Sequence, residues 1–193
     1  MDTLAIDATK QKLIAGLDAS RAKTHHLIKD LMVKQELYPG WTVREYLSHL
    51  TGWDDAVIEA LKHHAAGREP PLTVLRGLDF YNAESVSTRT ELPEAHIRAE
   101  WEQVREALKQ AVRDFPAERF LEQFTFPWGL RGDVSLIVRI MIHHEIEHAE
   151  ELHQRLNPEQ YPTQAQAQPN PPDPAASRGG NFTSGGASEL RQD

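Results

Sequence analysis

The stretch DVSLIVRIMIHHEIEHAEELHQRL, from Asp133 to Leu156, sets both the fold class and the chemistry of this chain. Val134, Ile137 and Met141 recur at three- and four-residue steps, the period of one helix face. Continuing those steps reaches His144, His148 and Leu152, so two histidines occupy positions where the pattern calls for core residues. Spaced i and i+4, their imidazoles project side by side and can chelate one metal ion. A lone histidine there would be an ordinary satisfied core residue; the pair at chelating spacing carries the metal reading. Asp133 is placed to cap this helix, and Asn157-Pro158 to end it.

Three further segments upstream have helical periodicity. In the first, Leu13, Leu17, Leu27 and Leu31 share a face interrupted by Ser20 and Thr24, and Tyr38-Pro39-Gly40 is turn chemistry, so the helix is expected to end near Val33. The second opens on Thr42-Val43-Arg44-Glu45, a capping box, and its apolar face runs Val43, Tyr46, Leu50, Trp53, Val57 and Leu61. It stops near Ala66, ahead of Gly67 and Pro70-Pro71, with His63 and His64 in a last turn where the helix dipole explains them. The third begins near Pro93, follows Ile97, Trp101, Val104, Leu108, Ala111 and Phe115, and ends at Pro116.

Residues 67–92 form a long connection with a helical piece expected around Asp79 to Val86. Residues 116–132 form a second connection, whose Phe124, Phe126 and Trp128 are expected to fold over an opening of the bundle. Four amphipathic helices and no convincing strands predict an all-α four-helix bundle over residues 1–158. After Pro158 the composition turns to Gln, Ala, Pro, Ser and Gly, so residues 159–193 are expected to be a disordered tail.

Composition narrows the function classes. The formal charge of −8, with basic residues scattered among acidic ones, disfavours nucleic-acid binding. No apolar run reaches the ~20 residues a membrane span requires. The acidic N-terminus lacks the basic and apolar segments of a secretory signal, so a cytoplasmic location is expected. The chain has no Cys, so any metal must rely on His, Asp, Glu or water.

A third ligand must come from another helix. His49, one turn before Trp53 and beside Leu50, is the best supplier, with a half-exposed surface histidine as the competing explanation. His25, His26 and His96 lie near polar edges, and His143 and His153 point away from the His144/His148 face.

The segment Trp41-Thr42-Val43-Arg44-Glu45-Tyr46-Leu47-Ser48-His49-Leu50-Thr51-Gly52-Trp53 resembles the second-helix motif of the DinB/YfiT-like metalloprotein superfamily, and His144 to His148 is similar to its fourth-helix HxxxH. The resemblance spans about residues 5–156, including the Asn82 segment and Pro127-Trp128-Gly129. It implies a four-helix bundle, a homodimer as partner state, and Zn or Ni bound by His49, His144 and His148. Relatives include low-molecular-weight-thiol transferases and isomerases, metal-dependent hydrolases, and a toxin-resistance branch (the ClbS/DfsB type) that does not always keep the histidines.

Three neutral imidazoles leave a divalent ion with open positions, where a water or a thiol loses its proton readily. Any thiol must arrive as a small molecule, since the chain supplies none. Glu145 and Glu147 offer carboxylates to orient the imidazoles, with a solvated acidic face as the competing explanation for each. Asn82, Trp53 and Trp128 are candidates to line a cofactor pocket, although core packing explains both tryptophans equally well. The expected function is a metal-dependent hydrolase or thiol transferase acting on a small molecule in detoxification or stress response. The alternatives are a non-catalytic protein that sequesters a toxin and a metal-stabilised helical protein without chemistry. His144-Glu145-Ile146-Glu147-His148 also matches the HExxH of zinc proteases. Glu151 and Gln154 stand where a metzincin needs Gly and His, and only the tail follows, so a protease is disfavoured.

Overall fold

The computed structural model describes residues 2–159. Of the disordered tail expected over residues 159–193, all but Glu159 lies outside the described residues. Helices α1 (Thr3–Ile28), α2 (Val43–Ala65), α4 (Glu94–Asp114) and α5 (Val134–Leu156) form the bundle, and α3 (Leu78–Ser87) is the short piece between α2 and α4. α1 packs along α5 and α2 along α4, and the two pairs meet through α1 with α4 and α2 with α5. No helix among the described residues is long and apolar enough to cross a membrane.

The capping residues act as their types dictate. The Thr42 side chain accepts from the Arg44 amide at 3.2 Å, while Glu45 reaches back to the Thr42 amide at 2.7 Å. Asp133 accepts from the Leu136 amide at 2.9 Å. Each bond satisfies a donor that the first helical turn leaves without an intrahelical partner.

Three expectations need correction. α1 ends at Ile28 rather than near Val33. The residues that follow leave the helix because the carbonyls of Val33 and Gln35 accept from the amides of Arg44 and Val43, tying the chain to the start of α2. The connections also hold two minimal antiparallel hairpins, β1 (Glu36–Tyr38) with β2 (Trp41–Thr42) and β3 (Phe124–Thr125) with β4 (Arg131–Gly132). Gly40, at φ 78°, makes the first turn in a conformation that disfavours a side chain. In the second connection Phe120, Phe124 and Phe126 are buried in the core, and Trp128 lies half-buried beside them. His64 is a core residue and not a dipole partner at the surface: it is 3% exposed and stacks on Phe124 at 4.2 Å.

The apolar interior is divided. One cluster gathers Leu13 and Leu17, Val57 and Leu61, Val104 and Leu108, and Ile137 and Met141. The other gathers Ile28, Tyr46 and Leu50, Ile97 and Trp101, and Leu152. On every bundle helix a buried charged residue falls at the changeover: Arg21 on α1, Asp54 on α2, Arg105 on α4 and Glu145 on α5.

Candidate metal centre

These four side chains close a ring of ion pairs. Arg21 lies 3.0 Å from Asp54 and 3.0 Å from Glu145; Arg105 lies 2.9 Å from Asp54 and 2.5 Å from Glu145. Two cations and two anions leave no net charge in a layer whose carboxylates are fully shielded from solvent. Burial raises the proton affinity of Glu145, and Arg105 and Arg21 oppose that rise. Ser20 and Thr24, the hydroxyls that interrupt the α1 stripe, face the same carboxylate; Ser20 Oγ is 3.4 Å from Glu145 Oε2.

This ring changes the reading of α5. The inward stripe runs Val134, Ile137, Met141, Glu145, Ala149 and Leu152. His144 and His148 are partly exposed and sit on one flank of that stripe, not on it. They turn toward α2, where His49 is buried at 6% exposure.

The three imidazoles converge. His49 Nε2 is 3.2 Å from His144 Nε2 and 3.2 Å from His148 Nε2, and the latter two are 3.0 Å apart. An ion with Zn–N bonds of about 2.0–2.1 Å and tetrahedral angles holds its nitrogens about 3.3 Å apart, so the spacing fits a shared ion. Three imidazole nitrogens this close cannot all be satisfied by each other's protons, whereas one cation accepts all three lone pairs. Burial, then the repulsion a protonated His148 ring would exert, holds His49 well below its usual pKa of 6.5. The same causes in the same order lower His144, with smaller contributions from His49 and Arg105. Both rings therefore stay neutral near pH 7, the form that donates to a metal.

The remaining candidates separate. Trp53 lies edge-on to His144 at 6.3 Å, and its indole N–H donates to Asn82 Oδ1 at 3.0 Å. Asn82 also acts on His49, so α3 supplies one wall of the centre. That wall depends on a close approach at Gly52, whose carbonyl accepts from the Tyr81 hydroxyl at 2.6 Å. A Cβ at Gly52 would lie 1.8 Å from Ser85 Oγ. Trp128 contacts Trp53 at 5.6 Å and sits one ring further out.

Neither glutamate chosen to orient the imidazoles does so. Glu145 serves the arginines, and Glu147 is exposed and pairs with His143 at 3.2 Å. A carboxylate clamped between two guanidiniums cannot act as the general base of an HExxH protease. Sequence reasoning missed Trp41, edge-on to His49 at 5.5 Å, Tyr46, edge-on to His148 at 6.0 Å, and Glu151, 3.7 Å from His148 Nδ1. Trp41 and Tyr46 lie inside the second-helix motif, so their signal was present. Glu151 is signalled by its i+3 spacing from His148.

A family model, the DinB superfamily, matches residues 16–152. The chain belongs to the DinB superfamily. The match covers the whole of α2 to α4, the second half of α1 and most of α5, with all three clustered histidines inside it. No curated protein and no solved structure matches the chain. DinB-superfamily membership together with the three-histidine cluster is compatible with a metal-binding enzyme.

Proposed function

We propose that this chain is a divalent-metal-dependent enzyme acting on a small molecule, with His49, His144 and His148 as the ligands. The observation that carries the reading is the convergence of three Nε2 atoms within 3.0–3.2 Å from two different helices. Asp54 and Glu145, the nearest buried carboxylates, are neutralised by Arg21 and Arg105, so the ligand set adds no negative charge to the ion. A site of that charge favours an anionic partner at its open position. When bound, zinc or nickel supplies Lewis acidity that lowers the proton affinity of a water or a thiol.

The chain's own residues perform the rest. His49 and His144 stay neutral and hold their lone pairs toward one point. Trp41, Trp53 and Tyr46 pack edge-on against the imidazoles and limit how far the rings can turn. Asn82 fixes Trp53 and borders His49. With no cysteine in the chain, thiol chemistry here means a low-molecular-weight thiol delivered from solution. Hydrolysis and thiol transfer would use the same open position, and they differ in whether a water or a small thiol is the nucleophile held there.

Elemental analysis of the purified full chain beside His49→Ala, His144→Ala and His148→Ala tests the reading. Stoichiometric metal in the wild type and its loss from each variant is the expected result. Full metal in all three variants overturns the site. Turnover of labile esters, or of electrophiles supplied with a small thiol, then identifies the reaction. Metal-free protein that captures electrophiles without turnover would mark a sequestering protein instead.

A further inference from the structure

Of the carboxylates around the cluster, Glu145 and Asp54 are committed to arginines and Glu147 to His143. Among the described residues, Glu151 is the carboxylate placed against a cluster imidazole, with Oε2 3.7 Å from His148 Nδ1. It stands three residues after His148 on α5, on the same helix face. The two side chains lie at the rim of the site, 27% exposed for His148 and 51% for Glu151. The Nδ1 atoms of His49 and His144 are buried without a hydrogen-bond partner, so His148 alone has a charged group at its outer nitrogen.

The outer side of His148 is otherwise built of rings. Tyr46 meets it edge-on at 6.0 Å, Tyr38 stacks on Tyr46 at 6.5 Å, and the Arg155 guanidinium lies over Tyr38 at 4.3 Å. Arg155 stands one turn beyond Glu151. The rings limit how far the imidazole can tilt, and the Glu151 carboxylate is the charged group facing its Nδ1.

That choice matters because neutral imidazole has two tautomers. With the proton on Nε2, His148 points a hydrogen at two other imidazole nitrogens only 3.0 and 3.2 Å away. With the proton on Nδ1, the hydrogen faces a carboxylate and the Nε2 lone pair faces the cluster. At 3.7 Å the carboxylate acts through its field, the distance being longer than a direct hydrogen bond.

We propose that Glu151 is the positioning residue of the metal centre, holding His148 with its proton on Nδ1 so that Nε2 presents its lone pair beside His49 and His144. The inference rests on the metal reading above for its consequence, and on the distances alone for its statement about His148. Removal of a carboxylate that orients a ligating histidine weakens metal binding by about 10–100-fold.

The test compares the full wild-type chain with Glu151→Ala and Glu151→Gln. In metal-free protein, 15N NMR of the imidazoles should show a protonated Nδ1 at His148, a population shift toward protonated Nε2 in Glu151→Ala, and an intermediate state in Glu151→Gln. Zinc affinity, measured by competition with a chelator, should fall by about 10–100-fold in Glu151→Ala. The urea midpoint of the metal-free protein should stay in place, because a half-exposed pair contributes little to stability. An unchanged His148 tautomer in Glu151→Ala overturns the proposal, as does zinc affinity that falls by less than about threefold. A wild type that binds no zinc but shows the tautomer shift removes the metal reading and keeps the assignment of Glu151 to His148. A drop in the urea midpoint with zinc affinity intact assigns Glu151 a structural role and overturns the proposal.

Discussion

Arg105→Met tests whether charge holds the middle of this bundle together. Arg105 is 2% exposed and bridges Asp54 at 2.9 Å and Glu145 at 2.5 Å, both fully shielded from solvent. Methionine is apolar and flexible enough to fill most of the vacated space, so the cavity contribution is small. What remains is Arg21 facing two carboxylates, each 3.0 Å away, with one negative charge uncompensated. Breaking a buried pair in this way costs about 3–5 kcal/mol. Set against the ~5–15 kcal/mol that holds a typical domain, the loss is a large share of the total. For a domain of this length, each kcal/mol shifts the melting temperature by about 2–4 °C, so the variant should melt roughly 6–20 °C lower.

The assay is equilibrium urea unfolding followed by circular dichroism, in chelator-treated buffer so that metal binding does not raise the apparent stability. A double variant separates charge from packing. Arg105→Met with Glu145→Leu removes one cation and one anion and leaves the neutral Arg21–Asp54 pair at 3.0 Å. It should be more stable than either single variant, because neither buried partner is left without its counter-charge. A single-variant cost below about 1 kcal/mol would refute the reasoning, since that is the scale of an exposed pair. So would a double variant whose loss equals the sum of the singles.

Two further outcomes follow from the same packing. Gly52→Ala in an unencumbered helix would stabilise by about 1 kcal/mol, but here the new Cβ meets Ser85 Oγ at 1.8 Å and Ser85 Cβ at 2.9 Å. It should therefore destabilise the urea transition by about 1–3 kcal/mol through displacement of α3, and a gain in stability would show that α3 is not seated on α2. His64, stacked on Phe124 and held below pKa 6.5 chiefly by burial, binds a proton more readily unfolded than folded. Its stabilising share is whole above about pH 6.5 and is lost as pH falls through the folded value. His64→Phe should flatten the decline of stability between pH 7 and pH 5, leaving the residual slope of His49 and His144. An undiminished slope in urea titrations at the two pH values would count against the burial.

The elements were legible where local chemistry decides them. Thr42 with Glu45, Asp133 and Pro93 mark helix starts by satisfying or lacking a donor, which needs no tertiary context. The hairpins were not legible, because strands of two or three residues are too short to show a period of two. The sequence extends α1 past its end because Leu31 keeps the helical spacing, and only the amides of Val43 and Arg44, distant in sequence, take the following residues away. The charged ring is hard to read from sequence because arginine and glutamate are buried only when paired, and the pairs join residues far apart in the chain. A signal was present: Arg21, Asp54, Arg105 and Glu145 each follow a buried apolar residue by four positions, after Leu17, Leu50, Trp101 and Met141. One charge on each of four stripes, two of each sign, is what a neutral buried layer requires.

That layer also explains why the histidines converge. A helix turns about 100° per residue, so with Glu145 directed inward His144 and His148 lie about 100° and 60° to the same side of it. The azimuth of Glu145 therefore sets the azimuth of both imidazoles at once. Glu145 has no freedom to rotate, because Arg21 from α1 and Arg105 from α4 grip it, and those arginines are gripped in turn by Asp54 of α2. The helix that supplies Asp54 also supplies His49, five residues earlier. Charge pairing thus fixes the rotation of α5 relative to α2, the pair of helices that must share the ion. An apolar core could bury the same area, but apolar contacts are non-directional and would let α5 turn by a fraction of a residue step at little cost. At three nitrogens spaced 3.0–3.2 Å apart, such a turn would separate the imidazoles before it disturbed the fold.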